Sequence, residues 1–155
     1  MARGQSFDLR FAETDEEVAR CFALMRQLRP NLGSAAEFVE RWARQKDAGY
    51  RLLVLWEGAR PLALAGFRVQ ENLIFGPHLY VDDLVTDAAV RGGGLGRLVL
   101  NRLKAEGEAS GLDLLVLDTP LTNALGHRFY FREGLLARAL KFSCPLAAEP
   151  ERAKG

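Results

Sequence analysis

A chain of 155 residues with 48% hydrophobic and 26% charged residues has the make-up of one ordinary globular domain. Its formal net charge of +1 gives no electrostatic basis for gripping nucleic acid or an anionic membrane. No stretch approaches the roughly 18 apolar residues of a membrane span, and no charged-apolar-small leader opens the chain, so a cytoplasmic protein is expected.

Residues 6–11 alternate Phe7, Leu9 and Phe11 on one face, the pattern of a half-buried strand. Thr14 followed three positions on by Glu17 is a capping box, and Val18, Cys21, Phe22 and Met25 then recur at helical spacing until Pro30. A second box, Ser34 with Glu37, opens a helix through Phe38, Trp42 and Ala43 that stops near Gly49. Residues 50–56 and 61–69 read as strands joined by the hairpin-like turn Glu57-Gly58-Ala59-Arg60, and 79–86 adds a third strand. After a glycine run, Leu95, Leu98, Val99 and Leu103 share one helix face. Residues 113–118 are dense in branched apolar side chains, which predicts a strand buried on both faces. A short helix over 123–132 and a last strand over 137–144 complete the order β-α-α-β-β-β-α-β-α-β. The fold class is therefore α/β with a mixed sheet, antiparallel in front and with βαβ crossovers behind, in one domain over 1–146. Residues 147–155 read as a loose tail. Cys21 and Cys144, far apart among apolar residues, read as reduced buried thiols rather than a disulfide or nucleophiles, and no His/Cys/Asp cluster at ligand spacing points to a metal.

The densest chemical signal is Arg91-Gly92-Gly93-Gly94-Leu95-Gly96, between a strand and a helix. Glycines let main chain approach a ligand closely, and the first amides of a helix lack intrahelical partners, so such a turn suits phosphate. The loop of the nucleotide hydrolases requires Lys and Ser/Thr after its last glycine, where Arg97 and Leu98 stand, and Gly-x-Gly-x-x-Gly also fails from Gly92 and from Gly94. Arg-x-x-Gly-x-Gly fits, with Arg91, Gly94 and Gly96 at the fixed positions. A second segment carries Asn123, Phe129, Tyr130 and Gly134 in the spacing Asn-x-x-Ala-x-x-Phe-Tyr-x-x-x-Gly-Phe, departing from it at Gly126 and Leu135.

On these two segments the chain resembles the GNAT N-acetyltransferases, over residues 50–144 in motif and before that in element order alone. The resemblance implies acetyl-CoA as co-substrate, in a cleft between the fourth and fifth strands. It implies that the amides of Arg91, Gly92, Gly93, Gly94, Leu95, Gly96 and Arg97 hold the pyrophosphate, with the Arg97 side chain in reach of a phosphate. Leu84, Val85 and Thr86 would offer main chain to the pantetheine arm, and Asn123 would hydrogen-bond the cofactor or simply cap its helix. It places Tyr130 by the CoA sulfur as the acid for the leaving thiolate, with a plain core aromatic as the structural alternative. It implies that an acidic residue at the position of Asp82 is the base or holds its water.

Asp82 and Asp83 are the base candidates on the residues themselves. Regular pleating sends neighbours to opposite sides, so one of the two should face the cleft; a solvated edge or an ion pair with Arg68 or Arg91 is the structural alternative. Direct action by an Asp on an amine requires burial to raise its pKa, and a relay through water serves as well. Asp82, Asp83, Asp118 and Glu71 together would make an acidic cleft attractive to a cationic amine of a small molecule or a protein. Arg26 and Arg29 lie in 25–34, where the family reads its acceptor, and would instead suit a carboxylate-bearing one. The rival function classes are a non-catalytic acyl-CoA-binding module, which has no use for the acid and base candidates, and a nucleotide or nucleic-acid binder, against which the near-neutral charge and the failed nucleotide patterns count. Relatives often dimerise, so a homodimer is within what the resemblance implies.

Overall fold

The chain forms its sheet in the order in which it is written. The computed structural model describes residues 6–147 and divides into two compact units, one up to Leu117 and one from Asp118. In the first unit the elements are β1 (Asp8–Phe11), α1 (Asp15–Arg20), α2 (Phe22–Leu28), α3 (Ala35–Asp47), β2 (Arg51–Glu57), β3 (Arg60–Asn72), β4 (Gly76–Thr86), a 3₁₀ turn (Ala88–Val90), α4 (Leu95–Ala109) and β5 (Leu115–Leu117). The second unit holds α5 (Ala124–Arg132). The sheet order is β1-β2-β3-β4-β5, antiparallel through β4 and parallel between β4 and β5.

Both capping boxes form: Thr14 accepts from the Glu17 amide at 3.2 Å and Ser34 from the Glu37 amide at 3.1 Å. The single first helix expected up to Pro30 is two. At Cys21 the amide bonds three residues back, to Val18 at 2.9 Å, and this tighter step separates α1 from α2. Strand β2 is buried on both faces, so its neighbours alternate between two cores. Leu52, Val54 and Trp56 pack with Val18, Met25, Phe38 and Trp42 of the first three helices. Leu53 and Leu55 pack with Leu79, Val99 and Leu103 on the α4 side. The α4 stripe is Leu95, Val99, Leu100 and Leu103, while Leu98 stands about half exposed.

Three expectations are corrected. The strand over 113–118 is three residues long and only half-buried, because among the described residues it is the sheet edge, bonded to β4 alone. Residues 137–144 form no strand: the alternation of Leu140 (64% exposed) and Phe142 (87%) supplies a face, but these residues pair with no strand among those described. Cys144 is exposed, whereas Cys21 is buried, its thiol pushed up to about 12 by burial. Most of the expected tail, from 148 on, lies outside the described residues.

Candidate functional site

The glycine run forms a turn built around two left-handed residues. Gly92 has φ 87° and Gly94 φ 77°, conformations that cost an L side chain about 1–2 kcal/mol. Its entrance is pinned: Asp87 accepts from the Ala89 amide at 3.1 Å and from Arg60 at 3.0 Å, and Gln27 accepts from the Ala88 amide at 3.0 Å. The Ala89 amide foremost, then Arg60 and the Gln27 Nε2 that donates to Asp87 at 3.3 Å, hold the Asp87 carboxyl below its ordinary range. Arg91 turns its Nε back to the Thr86 carbonyl at 3.3 Å. Gly94 caps α4 without a side chain, and the first bond back to it comes from the Leu98 amide at 3.2 Å. The amides of Leu95 and Gly96 precede that bond, at the positive end of the helix and beside the exposed residues 91–94.

Upstream on β4, the expected alternation of Asp82 and Asp83 is replaced by a bulge. Gly66 of β3 pairs with Asp83 and Phe67 with Val81, which leaves Asp82 as the extra residue. Both carboxylates therefore reach one cluster. Asp83 accepts from the Tyr50 hydroxyl at 2.8 Å and from Arg29 Nε at 2.9 Å. Asp82 accepts from Arg68 Nε at 3.0 Å, and its carbonyl from Arg29 Nη2 at 2.7 Å. Arg68 also donates to Gln45 at 2.6 Å and lies 5.4 Å over the Tyr50 ring. Burial pushes the Asp82 carboxyl above its ordinary value, against the opposing pull of Arg68. Tyr50, 4% exposed, has its hydroxyl held protonated by burial and by Asp83. The ion pair with Arg68 is the alternative weighed from the sequence; Arg91 is not involved.

Tyr50 reaches Asp83 because residue 66 is glycine. A Cβ on Gly66 would stand 2.6 Å from Tyr50 Cε2 and closer still to Cζ and the hydroxyl. Sequence reasoning missed Tyr50, Gly66 and Gln45; the available signal was a lone glycine inside an apolar strand, which marks close approach by another group. Glu71 is no part of this cluster: it stands exposed opposite Pro77 at the far end of β3.

The β4–β5 ladder stops at Val81 and Leu117, so Leu84, Val85 and Thr86 pair with β3 on one side and have no partner from β5 on the other. The Val85 side chain belongs to the core beneath the first three helices, and Leu84 packs on the α4 side.

In the second unit Asn123 is the N-cap of α5. It accepts from the Gly126 amide at 3.1 Å and donates to Thr119 at 2.9 Å. That explains the departure at residue 126: a Cβ there would stand 2.7 Å from Asn123 Cγ and closer to Nδ2. His127 Nε2 lies 2.9 Å from the Pro120 carbonyl, to which it can donate. Tyr130 is half-buried, edge-on to Phe129 at 5.4 Å, and burial raises its hydroxyl pKa, so it remains a proton donor past the ordinary range.

Among the described residues no helix is long and apolar enough to cross a membrane, and no group of three His, Cys, Asp or Glu could hold a metal ion. The chain is similar to the uncharacterized N-acetyltransferase YhdJ of Bacillus subtilis (strain 168), 30% identical over 115 residues that cover 74% of this chain and 81% of that protein. Its fold matches an acetyltransferase of Trypanosoma brucei at a TM-score of 0.76, with 21% identity over 91% of this chain and 100% of that one. It also matches the aminoglycoside N-acetyltransferase AAC(6')-Iy in complex with CoA at a TM-score of 0.81, with 14% identity over 95% and 99%. The profile of the Acetyltransferase (GNAT) family follows residues 14–134, through both signature segments. The chain belongs to that family and is an acetyl-CoA-dependent acetyltransferase.

Proposed function

We propose that the protein transfers the acetyl group of acetyl-CoA directly to a primary amine, of a small molecule or a protein, within a ternary complex. The observation that carries this reading is the layout of β4. Its last residues run from a bulged, partly buried carboxylate pair to a glycine turn that opens a helix, and β5 leaves one edge of that stretch unpaired. The amides from 91 to 97 would take the pyrophosphate, the free edge of Leu84, Val85 and Thr86 the pantetheine arm, and Asn123 would assist the cofactor from its cap.

A primary amine has a pKa near 10, so about a thousandth is nucleophilic at neutral pH. Asp82, raised by burial, takes the ammonium proton through water, with Asp83 fixing the acceptor. The amine nitrogen then bonds to the thioester carbon, loses its second proton to solvent as the amide forms, and the C–S bond breaks. Tyr130 protonates the departing thiolate and is recharged from solvent.

Release of free CoA thiol across an amine panel tests the whole reading, and saturable CoA binding with no release would sink it. Tyr130→Phe should lower turnover about 10²-fold while sparing CoA affinity. An unchanged rate removes Tyr130 as the acid. A base works ionised, so activity should fall as pH drops through the Asp82 pKa, at a pH above the ordinary aspartate value of 3.8. Asp82→Asn should abolish that acid limb and cost about 10²-fold; a limb that persists in the variant assigns it elsewhere.

A further inference from the structure

Beside the carboxylate pair lies a cavity of about 150 Å³, the scale that accommodates a benzene-sized group. Met25, Leu32, Phe38 and Trp42 give it an apolar wall, while Arg29, Arg41 and Asp83 supply charge. Both guanidiniums are already paired, Arg29 with Asp83 at 2.9 Å and Arg41 with Glu37 at 2.8 Å, yet each side chain is nearly half exposed (45% and 44%). With Arg68 on Asp82, three cations face three anions. The cluster is neutral, not the acidic cleft that the carboxylates alone imply.

Both Asp83 oxygens are engaged, Oδ1 by Arg29 and Oδ2 by Tyr50, so an acceptor ammonium reaching Asp83 competes with the Arg29 guanidinium. A plain cation would leave Arg29 without its carboxylate and next to a new positive charge, which is doubly unfavourable. A molecule carrying a carboxylate on the carbon beside its amine replaces both halves of the broken pair at once. Arg29 would remain tethered by Nη2 to the Asp82 carbonyl during that exchange.

We infer that the acceptor is an α-amino acid with an apolar side chain: ammonium on Asp83, carboxylate on Arg29, side chain in the cavity. The inference rests on the proposed role of the carboxylate pair at the acceptor. Transfer acetylates the α-nitrogen, releasing CoA thiol and an N-acetyl amino acid.

Phenylalanine and phenethylamine differ only in the carboxylate, so thiol release from acetyl-CoA with each, on wild type and Arg29→Gln, reads the exchange. In wild type kcat/KM should favour phenylalanine by about tenfold or more. The preference should collapse toward parity in Arg29→Gln and survive in part in Arg29→Lys. A wild-type preference for phenethylamine, or one indifferent to Arg29→Gln, overturns the inference and leaves acetyl transfer standing. Absence of thiol release with every amine tried overturns the transfer reading, and this inference with it.

Discussion

Replacing Gly66 by alanine is expected to destabilise the first unit by about 3 kcal/mol and to lower turnover in the same variant. The added methyl would fall inside the Tyr50 ring and hydroxyl, and Tyr50 is packed on every side, so the ring must leave its place across β3. Displacing it removes the hydroxyl that donates to Asp83 at 2.8 Å and the surface on which Arg68 lies. The loss therefore reaches both carboxylates through one methyl group. Thermal unfolding and steady-state rates measure the two effects, with a fall of several degrees in Tm. Combining Gly66→Ala with Tyr50→Ala should cost less than the sum of the single changes, because the clash exists only when both side chains are present. A Gly66→Ala protein with wild-type Tm and rate would mean that Tyr50 does not lie across that strand.

Gly94→Glu should weaken CoA binding by about tenfold to a hundredfold, the range in which a hydrogen bond to a charged group contributes. Two causes act together. The left-handed φ of 77° penalises any side chain by about 1–2 kcal/mol, although a Cβ there meets no neighbour within 4 Å. The new carboxylate would then stand at the helix start where the pyrophosphate is proposed to sit. Gly94→Ala carries the first cause without the second, so comparing the two variants in CoA titrations separates strain from charge. The additional deficit of the Glu variant should shrink as salt is raised, because the turn is exposed. Equal affinity for wild type and Gly94→Glu would remove the turn as the pyrophosphate site.

The parts of this structure that were legible in the sequence are those written in short-range pattern. Ser34 with Glu37, the Glu57–Arg60 turn and the 91–96 run each declare themselves within a few residues, and each forms where it was expected. The bulge at Asp82 is different in kind. It is a one-residue mismatch between two strands, and nothing within residues 79–86 records which residue of β3 will face Asp83. The Tyr50–Gly66–Asp83 contact likewise joins β3, β4 and the residue just before β2, which are well separated in the chain. Residues 137–144 misled for the opposite reason. Alternation reports that a face could be buried, and it carries no information about whether a partner strand is there to cover it.

The identity of chain order and sheet order has a kinetic side. The β2–β3 and β3–β4 connections close over only a few residues, whereas bringing β5 to β4 requires closing residues 87–114. Loop-closure entropy makes that last step about 2 kcal/mol costlier than a hairpin. It is rewarded by a ladder of only three residue pairs and the α4 stripe. The segment that carries the glycine turn is thus a costlier closure than either hairpin, and only the stretch 12–50 between β1 and β2 is a longer one in the unit. A ligand that grips this segment would add its binding free energy to the part of the sheet held by the shortest ladder.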